Sequence, residues 1–295
     1  MGIFSSLLRK REPAGAGRVD FRLDGASYRY DDGTVGLEPT SLELGGAEGG
    51  HTAVIGLNGA GKSTLVGLLG GALPPTGGTL EVVADGEPLS AADKAQRRRI
   101  DRVVGVVDAN ALPHEVERAA SLEEGLMEWL KGHGLGLSER TARTGRMLLG
   151  FDLAAARHLP APTLDQEHRH LLAAAVAASR SPAILVADEP TSGLDERGAR
   201  HVASRLLGFG IPVVFTTHDV DLTLGEEYGI GRTLVMDEAH VVFDGAPEHA
   251  RSFYTQLIRS KIQGMSGASA RRTAPSTSET LAANSPGSGS SESAR

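Results

Sequence analysis

Cysteine is absent from this 295-residue chain, which excludes disulfides and thiolate metal sites and fits a reducing compartment. Aromatic residues make up only 4%, so a core has to be built mostly of Ala, Val and Leu, for which the 40% hydrophobic content is ample. No apolar run approaches the roughly 20 residues needed to cross a bilayer. The most apolar helical stretch, Leu171–Ala178, is far too short. Arg9, Lys10 and Arg11 follow the apolar segment Ile3–Leu8 instead of preceding it, the wrong order for a secretory signal. Basic residues are outnumbered, and the formal charge of −7 argues against a nucleic-acid partner, which needs a basic face to displace counterions. The expectation is a soluble chain.

Its length permits one large domain or two small ones, and no internal repeat is visible. Residues 1–17 read as a flexible arm. Short alternating runs follow at Val19–Leu23, Ala26–Tyr30 and Ser41–Leu44, punctuated by Gly and Asp, and predict an antiparallel edge sheet. Apolar or β-branched runs at His51–Gly56, Thr79–Val83, Arg102–Val107, Ala183–Asp188, Ile211–Phe215, Thr233–Met236 and His240–Phe243 predict further strands. Residues 115–160 are helical in character, and a last helix is expected near 247–262. From Gly264 onward Ser, Ala, Gly and Thr take over, so 263–295 is expected to be a disordered tail. Strands alternating with helices give an α/β core with a mostly parallel sheet and a helical insert.

Within this pattern Gly56-Leu-Asn-Gly-Ala-Gly-Lys-Ser63 matches the phosphate-binding loop G-x-x-x-x-G-K-[ST] in full. Glycines there let backbone amides turn toward phosphate oxygens. Lys62 is placed to reach the β- and γ-phosphates, and Ser63 offers a hydroxyl to Mg²⁺. The buried strand before the loop and the helix after it supply the context that the motif needs, and the helix N-terminus favours anions. The residues therefore predict binding of a nucleoside triphosphate. The run Ala183–Ala187 ends in Asp188 and Glu189: Asp188 is the candidate for the Mg²⁺ shell and Glu189 for the base that polarises the attacking water.

Asp188-Glu-Pro-Thr-Ser-Gly-Leu-Asp195 closely resembles the Walker B and D-loop stretch of ABC-type ATPases, the nucleotide-binding subunits of ABC transporters. Thr216-Thr-His-Asp-Val220 resembles their switch-histidine segment. The resemblance covers about 19–255 with the three motifs in order. It implies a P-loop NTPase with a RecA-like core, an N-terminal antiparallel β subdomain and an α-helical subdomain at about 113–180, together an ATPase domain over 18–262. It further implies that Tyr30 stacks on adenine, and that Gly56, Asn58, Gly59, Ala60, Gly61, Lys62, Ser63 and Thr64 cradle the phosphates of ATP. By the same resemblance Ser63 and Asp188 hold Mg²⁺, while Lys62, Glu189 and His218 carry catalysis. Asp195 lies in the loop that crosses to a second subunit. The implied partners are a polytopic membrane permease and a second ATPase, with the chain peripheral on the cytoplasmic face of the membrane. Thr217–Leu222 looks most like the ATPases of energy-coupling-factor and cobalt-type importers.

Two departures stand out. The signature Leu-Ser-Gly-Gly-Gln, which closes a partner's nucleotide site, falls by spacing on Leu164-Asp165-Gln166-Glu167-His168, where only the leucine survives. Two carboxylates stand where a triphosphate should arrive, and like charges at about 4 Å cost roughly 4 kcal/mol at an effective dielectric near 20. Asp165 also suits the N-cap of the helix that follows. The glutamine expected after Val107 is missing too: Asp108, Ala109 and Asn110 occupy that segment. The chain thus keeps its own ATP half-site and lacks the half it owes a partner, which predicts an asymmetric heterodimer. The alternative is a non-transport ATP-binding switch with little turnover.

Overall fold

The computed structural model describes residues 17–45, 50–90 and 93–272. The expected arm, apart from Gly17, and the stretch 273–295 lie outside the described residues. Two sheets organise the chain. Strands β1 (Val19–Arg29), β2 (Val35–Gly45), β4 (Gly77–Ala84) and β5 (Glu87–Ser90) form an antiparallel sheet in the order β2-β1-β4-β5. Val19, Phe21 and Leu23 are buried on one face of β1 while Arg22 and Asp24 face out, as alternation requires. The runs read as two strands at 19–23 and 26–30 form one strand, whose pairing with β2 shifts register between Leu23 and Ala26.

The second sheet has the order β10-β9-β3-β8-β7-β6, from β3 (His51–Gly56), β6 (Val104–Val107), β7 (Ile184–Ala187), β8 (Val213–Thr216), β9 (Ile230–Asp237) and β10 (His240–Gly245). All its pairings are parallel except β9 with β10. The six residues of β3 are all buried, which is why its sequence is apolar without alternation.

Helices α1 (Lys62–Leu69), α2 (Lys94–Val103), α3 (His114–Glu117), α4 (Leu122–Gly132), α5 (Leu137–Gly150), α6 (Gln166–Ser179), α7 (Glu196–Leu207) and α8 (Pro247–Arg272) complete the architecture. Arg102 and Val103, expected in a strand, end α2 instead. Asp93 caps that helix by accepting from Ala95 N and Gln96 N, and the charged run behind it suits an exposed helix. Helix α8 continues to Arg272, so the first part of the expected tail is helical. The chain divides into one unit running to Tyr254 and another from Thr255 onward.

The two faces of the parallel sheet pack on different partners. Ile184 and Val186 of β7 join Phe21, Leu37, Leu65 and Leu68 in the core between the sheets. Leu185 and Ala187 face the other way, toward Leu126, Phe151, Leu171 and Leu206 of the helical layer. Each fully buried Leu or Phe contributes about 1.5–3 kcal/mol. Every residue of α6 from Leu171 to Ser179 is buried, and its alanines let neighbouring elements approach closely. That helix is thereby fixed between the sheet and the helical layer, which holds the altered stretch at its N-terminus in place.

Candidate functional site

Strand β3 ends at Gly56, where the loop begins. A Cβ on Gly56 would lie 2.4 Å from the carbonyl oxygen of Met236, so only glycine lets the loop leave the sheet here. Gly61, at φ 96°, is the N-cap of α1, and a Cβ on it would meet Gly36 O at 2.4 Å. No side chain caps α1, which leaves its first amides for a ligand. Ala60 is buried and pins the loop: its N–H donates to Leu57 O at 3.1 Å and its carbonyl accepts from Ala239 N at 3.2 Å. Leu57, Asn58, Gly59 and Ser63 are exposed on the open side.

Lys62 is 5% exposed, and its Nζ donates to Gly56 O at 3.0 Å and Leu57 O at 3.2 Å. Burial pushes its pKa down, and the nearby Glu189 and Asp188 carboxylates oppose that shift. The loop lysine and the two acids after β7 therefore share one electrostatic site. Thr64, buried in the first turn of α1, hydrogen-bonds Tyr30 OH at 2.9 Å. Tyr30 is 39% exposed and stands edge-on to Tyr28, with ring centroids 4.9 Å apart.

Parallel pairing brings the other motifs to the same sheet edge. Ala187 pairs with Phe215, and Thr216 pairs with Val54 of the loop strand. His218 follows β8, and its Nε2 lies 2.5 Å from Glu189 Oε1. Glu189 has φ 45°, a left-handed backbone that costs a non-glycine residue about 1–2 kcal/mol. Thr216, which sequence reasoning passed over, bonds to both acids: it donates to Asp188 Oδ1 at 2.6 Å and accepts from Glu189 N at 2.8 Å. Its only sequence signal is a hydroxyl at the end of an otherwise apolar strand. The exposed oxygens of Ser63 and Asp188 are hard donors of the class that suits Mg²⁺.

The altered stretch at 164–168 makes bonds within its own chain, with Asp165 and Gln166 still exposed. Asp165 caps α6, accepting from His168 N at 2.8 Å, and also meets His168 Nδ1 at 2.7 Å. The bond from the His168 amide holds the Asp165 carboxyl below its usual pKa. Gln166 Nε2 donates to Ser192 O at 3.2 Å. Glu167 meets His201 Nδ1 at 2.5 Å, and His201 Nε2 meets Asp152 at 2.9 Å. Arg169 donates to Ala109 O at 2.9 Å and pairs with Glu117 at 3.0 Å, tying the 108–110 segment to α6. Asp108 itself accepts from Asn110 N at 2.8 Å, and Asp195 caps α7 through Gly198 N at 2.7 Å. The cap by Asp165 is the one expected from the sequence, whereas the bonds of Gln166, Glu167 and Arg169 to distant residues are not legible there, because each joins residues far apart in the chain.

A separate cleft opens at the start of β3, away from the loop, and is lined by Arg22, Glu43, His51, Arg232 and Asp244 among others. Its arginines are matched by acids, Arg22 with Glu43 at 3.0 Å and Arg232 with Asp244 at 2.6 Å, so it offers little excess charge to a ligand.

A glycine loop between a buried strand and an uncapped helix, beside an acid-tipped parallel strand, defines a phosphate-loop nucleotide-binding protein. The ABC transporter family model matches residues 39–192, just over half of the chain. A putative ABC transporter ATP-binding protein of Streptomyces coelicolor is 36% identical over 205 residues, 68% of this chain and 70% of that protein. The energy-coupling factor transporter ATP-binding protein EcfA of Methanosphaera stadtmanae is 33% identical over 223 residues, 74% of each chain. Among solved structures, CbiO1 of Clostridium perfringens, part of the ABC transporter complex CbiONQ, superposes with a TM-score of 0.68 at 25% identity, covering 81% of this chain and 93% of that one. This chain belongs to the ABC transporter ATP-binding family. It is an ATP-binding subunit of a transport system, with the mixed α/β fold of the P-loop ATPases.

Proposed function

We propose that the chain hydrolyses ATP to drive a separate membrane permease, working on the cytoplasmic face of the membrane as one half of an asymmetric ATPase pair. The observation that carries this reading is the contrast between two stretches of one chain. At one, Lys62, Asp188, Glu189 and His218 converge beside an open glycine loop. At the other, Asp165, Gln166 and Glu167 are committed to bonds within the chain, where the family presents serine and glycine to a partner's nucleotide.

In the proposed half-site Tyr30 stacks on adenine, and Gly56, Asn58, Gly59, Ala60, Gly61, Lys62, Ser63 and Thr64 hold the phosphates. Ser63 and Asp188 would hold Mg²⁺, which would supply charge neutralisation at the phosphates when bound. Glu189 takes the proton of the attacking water and His218 orients it. The bond between Glu189 and His218 favours a turnover site over a switch that only binds nucleotide, which needs no base. The helical layer around 113–180 is the proposed docking face for the permease. Likeness to EcfA and to CbiO1, a component of the CbiONQ complex, favours an importer of the energy-coupling-factor type.

The test is purification in detergent from cells expressing the chain with its neighbouring genes. The expected result is a complex holding a polytopic membrane protein and a second ATPase with an intact signature. Recovery of the chain alone, with the membrane fraction unaffected by its loss, would count against a transport role.

A further inference from the structure

Thr216 is the last residue of β8 and is 0% exposed. Strand β8 lies between β3, which feeds the phosphate loop, and β7, which feeds Asp188 and Glu189. Because Ala187 pairs with Phe215, the next residue along each strand places Thr216 level with Asp188. The directions of its two hydrogen bonds are forced. The Glu189 N–H can only donate, so Oγ1 accepts it at 2.8 Å. The hydroxyl hydrogen is then given to Asp188 Oδ1 at 2.6 Å. One buried hydroxyl thus joins the side chain of one acid to the backbone of the next.

We infer that Thr216 is a positioning residue for ATP hydrolysis, orienting the Asp188 carboxylate toward the metal and fixing Glu189 toward the attacking water. This rests on the roles proposed above for Asp188 and Glu189. Thr216 is fully buried behind the two acids, so its effect passes through those two residues. The terminal torsion of an aspartate is soft, and a hydroxyl donating to Oδ1 fixes the carboxylate plane. The other bond holds Glu189 at φ 45°, a conformation that its own side chain disfavours. A free Asp188 would rotate, and a free Glu189 would relax toward ordinary backbone, moving the carboxylate that faces His218.

Thr216→Val keeps the shape and removes the hydroxyl, whereas Thr216→Ser keeps the hydroxyl. In the purified full chain, binding of a fluorescent ATP analogue is titrated with Mg²⁺ and repeated in EDTA alongside thermal unfolding, and kcat and KM for ATP are measured with a partner ATPase of intact signature added. The valine variant is expected to match wild type within about twofold in EDTA and to need about tenfold more Mg²⁺ for half-maximal binding. Its kcat should fall about tenfold to a hundredfold with KM little changed, the scale of one lost bond to a charged group. The serine variant should stay within about threefold of wild type throughout. Wild-type Mg²⁺ dependence and kcat in the valine variant would overturn the inference, as would a serine variant equally impaired. If the valine variant does not fold, Thr216→Ala is read by the same two criteria. A wild-type chain that binds no nucleotide would instead refute the site on which the inference rests.

Discussion

His218 Nε2 and Glu189 Oε1 stand 2.5 Å apart, joining the residues that follow β8 and β7 across the sheet edge. The contact exists because parallel pairing keeps the two strand ends level, so residues 29 positions apart in the chain meet at one sheet edge. The histidine is 46% exposed and the glutamate 30%, which leaves both within reach of water and ligand. Buried Thr216, which accepts from the Glu189 N–H and donates to Asp188 Oδ1, completes the arrangement.

Glu189→Gln removes the proton acceptor but keeps size and shape. General-base catalysis contributes about 10²–10⁴-fold. The expected outcome is a turnover loss of at least about a hundredfold with ATP affinity unchanged, measured by phosphate release and by calorimetry. Equal loss in His218→Ala would show that the pair acts as a unit.

Tyr30 is exposed beside Thr64 and held by a hydroxyl bond at 2.9 Å. Base stacking on an aromatic is worth about 1–3 kcal/mol, so Tyr30→Ala should weaken ATP binding about tenfold, while Tyr30→Phe should leave it nearly intact. Unchanged affinity in the alanine variant would assign Tyr30 to packing against Tyr28 alone.

His51 predicts an acid limit to stability. Its Nδ1 accepts from Val213 N at 3.1 Å in the buried start of β3, and burial lowers its pKa to about 4. Above about pH 6.5 both folded and unfolded chains leave it neutral. As pH falls below that, the unfolded chain takes up a proton that the folded chain refuses until about pH 4. Stability should therefore drop across that window, by on the order of 3 kcal/mol. His51→Asn retains an acceptor and should flatten the dependence, read by denaturant unfolding at each pH. An identical slope in the variant would assign the loss to other groups.

The cap at α6 gives a fourth outcome. Asp165→Ala should cost about 1 kcal/mol of stability, seen as a lower denaturant midpoint, whereas Asp165→Ser should cost little. A stable alanine variant would mean that the His168 amide finds another acceptor.

How much of this was legible depended on whether the information was local. The strand at His51–Gly56 and the glycine loop were readable because burial on both faces forces an apolar run and φ near 96° at Gly61 demands glycine. The α/β layering followed from alternating runs. Arg102 and Val103 misled because β-branched neighbours hid the end of a charged helix that only its Asp93 cap announces. The length of α8 was missed because Ser and Gly signal coil, although the helix runs on to Arg272. Thr216 was invisible as a site residue, since its role arises from strand order, which no local pattern encodes. The sequence did reveal that the stretch at 165–168 departs from the family, but not that its side chains reach Ser192 and His201.

The central claim is that this chain holds one working half-site and lacks the half that a partner needs. The most direct measurement is light scattering on purified Glu189→Gln chain with ATP and Mg²⁺, where blocked hydrolysis traps any nucleotide-bridged dimer. The account predicts a monomer that binds ATP, and a dimer only when an ATPase with an intact signature is added. A stable ATP-dependent homodimer of this chain alone would contradict it.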